Sequence, residues 1–86
     1  MTTFIASVRV MLKPSVNDPQ GFSIRNALHS LGFEGVSDVR AGKVIVVTLE
    51  ADDEASALES VTTMADKLLA NPVIETFEVR IGAPVA

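Results

Sequence analysis

Phe4, Ala6, Val8, Val10 and Leu12 fall on one parity while Ser7, Arg9 and Lys13 take the other, the period of two expected of a strand with one buried face. Ile5 and Met11 place apolar groups on the second face as well. From residue 24 the period lengthens, with Ile24, Ala27, Leu28 and Leu31 recurring at i, i+3, i+4 and i+7, which predicts a helix. Asp18 and Pro19 read as its N-cap and first position, because the carboxylate can accept unpaired backbone N–H groups and proline lacks the N–H that would go unpaired there. Gly32 stands where a left-handed C-terminal cap is expected. Gly21, inside the first turn, gives up about 1 kcal/mol of helix propensity relative to alanine, so close approach of another backbone is the expected reason for it.

Residues 33–40 and 43–50 read as two strands joined by a short turn at Ala41 and Gly42. Val44, Ile45, Val46 and Val47 are apolar on both parities, so the sheet face without helices must also be covered. Asp52, Asp53 and Glu54 suit the positive end of a second helix, whose stripe is Ala57, Leu58, Val61, Met64, Ala65 and Leu68. Asn71 and Pro72 stop it, and a last strand is expected over 73–81. The order β-α-β-β-α-β predicts an α+β two-layer sandwich of ferredoxin-like pattern, with two helices on one face of a four-stranded antiparallel sheet. One domain over 1–82 is expected, with 83–86 as a short flexible tail. The opposite sheet face would carry Ile5, Met11, one parity of the third strand and Ile74.

At 86 residues a lone monomer buries only about 60% of its unfolded surface, so with 48% hydrophobic residues the expectation is self-association or a partner, as a dimer or larger. The absence of cysteine excludes disulfides, thiolate metal sites and cysteine nucleophiles. A net charge of −4, with no Trp or Tyr, argues against nucleic-acid binding. No run reaches the roughly 20 apolar residues of a membrane span, and the N-terminus lacks a basic stretch before an apolar one, so the cytoplasm is the expected compartment.

Candidate chemistry is sparse. His29, the one histidine, falls about 140° around the helix from Ile24 and is expected on the solvent face, without a partner for nucleophilic catalysis. No glycine-rich phosphate loop of either common spacing is present. Asp52, Asp53 and Glu54 match a helix dipole better than an oxygen cage for a metal. Lys13, Arg40 and Lys43 lie near turns and read as a solvated rim or, should the loops converge, as an anion site. Phe22 falls about 160° from Ile24, on the outer side of the first turn, either folded over residues 13–17 or exposed as an interface anchor. Loop 13–21 has neither the arginine of an acylphosphatase-like phosphate loop nor the paired cysteines of a metal-transfer domain.

Three segments together, LKPSVNDPQG at 12–21, ALHSLGFEGVSDVRAGKVI at 27–45 and LLANPVIETFEV at 68–79, closely resemble the PurS family, the small subunits of phosphoribosylformylglycinamidine synthase. Asn17 departs from the leucine usual before the Asp-Pro-Gln-Gly run. The resemblance implies a non-catalytic subunit of a glutamine-dependent ligase of purine synthesis, forming intertwined dimers or tetramers and bridging a large synthase subunit to a glutaminase subunit. It implies no cofactor on this chain, with ATP, Mg2+ and glutamine used by the complex. The candidate partner or interface residues are then Lys13, Asp18, Pro19, Gln20, Gly21 and Phe22, together with Arg40, Lys43, Asn71 and Pro72. The alternative is a ferredoxin-like regulatory module binding a small metabolite at an oligomer interface.

Overall fold

The alternation at the N-terminus becomes β1, Thr2–Leu12, in a computed structural model of the chain that describes residues 1–82. The expected tail 83–86 lies outside the described residues. There follow α1, Pro19–Ser30; β2, Gly42–Ala51; α2, Glu54–Met64, continued by a π-helical turn Ala65–Leu69; and β3, Glu75–Ile81. The fold is α+β, with two helices and a three-stranded antiparallel sheet in the order β2-β1-β3. Val8, at the centre, stands opposite Ile45 on one side and Val79 on the other.

The parity read from the sequence supplies the core, although Ser7 on the other parity is fully buried as well. Ala6, Val8 and Val10 of β1 join Val61, Ala65 and Ala70 in the core, with Ile45, Leu49, Leu69, Phe77 and Val79 packed against them. Aspartates cap both helices: Asp53 Oδ1 accepts from Ser56 N at 2.7 Å, as Asp18 does for α1. Within the expected stripe of α2, Ala57, Val61 and Ala65 point inward while Leu68 is 82% exposed. The π turn inserts its extra residue there, so that Leu69 packs on the core in place of Leu68.

Several expectations are corrected. Residues 33–40 form no strand; their backbone lies along α1 instead, where Phe33 N donates to the Leu28 carbonyl at 2.9 Å and His29 Nε2 donates to the Val36 carbonyl at 2.7 Å. Gly42 is not a hairpin turn but the first residue of β2, opposite Met11, where a Cβ would collide with the Met11 side chain and the Val10 carbonyl. The last strand starts at Glu75, two residues late, because Asn71 turns the chain: its side chain accepts from Val73 N at 3.1 Å and its carbonyl from Glu75 N at 2.7 Å.

The helices do not share one layer. Only α2 covers the sheet, and α1 with its return segment projects as an arm. The radius of gyration is therefore 16.1 Å, against about 12 Å for a compact chain of this length. The arm also shifts the inner face of α1, keeping only Leu28 of the expected stripe. Gly21 is buried and Arg25, Leu28 and His29 are half-buried, whereas Ile24 and Leu31 are exposed. His29 is thus a tether for the return segment rather than a solvated side chain. The C-terminal cap is as expected, with Gly32 at φ 98° and the 6→1 and 5→2 bonds of a Schellman motif.

Candidate functional site

Where β1 gives way to α1 and the return segment enters β2, most of the sequence-derived candidates meet. Asp18 is in extended conformation, φ −118° and ψ 90°, which turns its side chain back over the first turn of α1. Its Oδ1 accepts from Gly21 N at 3.0 Å and its Oδ2 from Ala41 N at 2.7 Å. Arg40 answers from the other stem, donating to the Lys13 carbonyl at 3.0 Å and the Val16 carbonyl at 2.7 Å. The absent Cβ of Gly21 makes room for the Val39 carbonyl. The close approach inferred from a glycine in a first turn is therefore real, and the backbone that approaches is the return segment.

Lys13 N donates to the Ile74 carbonyl at 2.8 Å, which brings the Asn71 and Pro72 turn to the same end of the sheet. Gln20, Lys43 and Glu75 join Asp18 around an open cleft of about 240 Å³. A second cleft, about 330 Å³, lies between Met11, Pro14, Asp38, Arg40 and Thr76. Pro19 occupies the first turn as expected. Phe22 is 58% exposed on the outer side of α1. Asn17 is exposed, so a polar residue suits the position.

Arg40 is the largest revision to the candidates: half-buried, and bonded to backbone rather than standing in a solvated rim. Glu75, which accepts from Asn71 N at 2.7 Å, and the His29 tether had no signal in the sequence. Among the described residues no three carboxylate, histidine or cysteine side chains gather as metal ligands, and no helix is long and apolar enough to cross a membrane.

Two backbone N–H groups, from Gly21 and Ala41, and then the Arg40 charge hold the Asp18 carboxyl below its ordinary value of 3.8. Because the folded value is the lower one, this contribution to stability is complete above about pH 3.8 and is lost as the pH falls through the folded value. Thermal unfolding followed from pH 7 down to pH 2 should show Tm falling below about pH 4. Asp18→Asn should flatten part of that fall, and an unchanged profile would contradict this account.

Polar side chains at this end hold backbone to backbone, while Val44, Val46 and Ile5 lie open on the far sheet face and Phe22, Ile24 and Leu31 on the arm. Fold and site together define a small α+β protein with apolar side chains left open on its sheet and arm. The family model described as PurS, phosphoribosylformylglycinamidine (FGAM) synthase, matches residues 5–83. The chain is 51% identical over 76 residues to phosphoribosylformylglycinamidine synthase subunit PurS of Synechocystis sp., covering 88% of this chain and 76% of that protein. It is also similar to the structure of PurLQS from Thermotoga maritima, with TM-score 0.86 and 34% identity over 95% of this chain and all of that one. Methanocaldococcus jannaschii PurS, one of the subunits of formylglycinamide ribonucleotide amidotransferase, gives TM-score 0.81 at 38% identity, covering 92% and 95%. The chain belongs to the PurS family, the small subunits of FGAM synthase in purine biosynthesis. Membership favours the subunit over the metabolite-binding module.

Proposed function

We propose that this chain is the non-catalytic small subunit that bridges the large synthase and glutaminase subunits, supporting ammonia transfer from glutamine to formylglycinamide ribonucleotide. ATP, Mg2+ and glutamine are bound by the other two subunits, and the assembly is cytoplasmic. The observation that carries this reading is the apolar surface left open on a chain of the PurS family: Ile5, Val44 and Val46 on the sheet, and Phe22, Ile24, Leu31 and Phe33 on the arm. Apolar side chains left open on both the sheet and the arm suit protein contacts. The Thermotoga relative, solved as PurLQS, supports the same partners.

The chain acts as a dimer or tetramer, with Lys13, Asp18 to Phe22, Arg40, Lys43, Asn71 and Pro72 at or beside the contacts. The ferredoxin-like pattern is completed between copies: among the described residues the outer edge of β2 has no partner strand, in the place where the pattern has its fourth strand. Light scattering of the chain at micromolar concentration should give at least twice the 9.1 kDa monomer mass. With ADP and glutamine present, the chain should elute together with the large synthase and glutaminase subunits. A monomer that elutes apart from both would overturn the proposal.

A further inference from the structure

The arm, residues 19–38, is joined to the rest of the molecule by two stems, 13–18 and 39–41, and α1 gains no firm packing on the sheet, although Gln20 and Asp38 face sheet residues across the two clefts. Its own shape is secured internally by the Schellman cap and the bond from His29 to Val36, while the packing of Val39 on Gly21 seats the start of α1 against the returning stem. The two internal contacts do not set the direction in which the arm leaves the sheet, and the Gly21–Val39 contact touches only the returning stem. Two side chains do set it. Asp18, on the outgoing stem, accepts from the backbone of Ala41 on the returning one, and Arg40, on the returning stem, donates to Lys13 and Val16 on the outgoing one. Each bond involves an ionised group, which makes it stronger than its neutral counterpart, and together they carry the junction past the last β1–β2 pair, Met11 opposite Gly42, into the two stretches of irregular backbone that lead to the arm.

We infer that Asp18 and Arg40 form a reciprocal clasp that sets the angle between the arm and the sheet, presenting the arm ready-aligned for assembly. This rests on the subunit reading above. Were the stems unclasped, the arm would sample many angles, and binding that needs one of them would weaken by the fraction of time that angle is occupied. Asp18 has a second duty as the α1 cap, so Arg40 is the cleaner probe. An asparagine at 18 can accept from Gly21 or from Ala41 but not from both, since its amide nitrogen only donates.

The chain contains no cysteine, so spin labels can be placed on Ser30→Cys in the arm and Glu59→Cys on the exposed side of α2. The labelled chain is diluted into unlabelled chain so that only distances within one copy are read. The unaltered clasp should give one narrow distance distribution. Arg40→Gln should broaden it at least twofold while amide exchange within α1 stays protected, and Asp18→Asn should broaden it too. Affinity for the large synthase and glutaminase subunits should fall about tenfold, as expected if the competent angle is populated about a tenth of the time. A distribution as narrow in Arg40→Gln as in the parent would overturn the clasp, as would loss of α1 protection, which would make Arg40 a plain stabiliser of the helix. Broadening with undiminished affinity would overturn its role in assembly. If the unaltered chain fails to bind those subunits, it is the subunit reading that fails, and the distances still decide the clasp.

Discussion

Omitting this chain from a reconstitution of the large synthase and glutaminase subunits should abolish glutamine-dependent formation of formylglycinamidine ribonucleotide. Synthesis from ammonium supplied in solution should persist. The reasoning is one of proximity: a scaffold that holds two active sites together raises their effective concentration, an advantage of about 10²–10⁴-fold that disappears with the scaffold. Ammonia added in bulk bypasses that need. The chain alone should neither hydrolyse ATP nor release ammonia from glutamine, since it carries no cysteine for the glutaminase step that the family resemblance assigns elsewhere. Steady-state rates with glutamine and with ammonium, each with and without this chain, decide the matter. If the glutamine rate survives omission, the chain is not the bridge.

Local chemistry was the legible part of this sequence. Asp18 before Pro19 marked the start of α1, Gly32 its end, and Gly21 a close approach, because each records a demand of the backbone within a few residues of itself. The parity of β1 was legible for the same reason: alternation along one strand decides which side can be buried. What the pattern left open is what each face would meet. The stripe Ile24, Ala27, Leu28 and Leu31 named a helix correctly but only Leu28 of its inner side, since the return segment packs on Gly21 and bonds to Leu28 and His29. Residues 33–40 carry apolar groups at Phe33, Val36 and Val39, a spacing of three that no pleated strand places on one face, and Gly35 and Asp38 are poor strand formers. The π turn at Ala65–Leu69 left no trace, because a one-residue insertion in a helix changes only which leucine turns inward. Arg40 could be named as a cation near a turn, but its carbonyl partners lie 24 and 27 residues away.

Gly21→Ala should be among the most damaging single changes on the arm, because the added methyl would sit against backbone on a neighbouring segment. At an ordinary helical position the same change stabilises by about 0.4–1 kcal/mol through lower entropy of the unfolded chain. Here the Cβ would overlap the Val39 carbonyl, which cannot rotate aside as a flexible side chain would. Either the return segment lifts from α1, or the helix shifts away from it, at a cost of about 1–3 kcal/mol typical of overpacking. Lifting would also pull Ala41 N from Asp18, so the loss should extend to assembly with the other subunits. Gly35→Ala is the matched control: nothing lies within 4 Å of its added Cβ and its φ is not positive, so it should be neutral or slightly stabilising. Melting temperatures and co-elution of the two variants, measured side by side, test this. A raised Tm with intact co-elution for Gly21→Ala would reduce the segment 18–21 to helix punctuation and remove the packed return segment as the reason for its glycine.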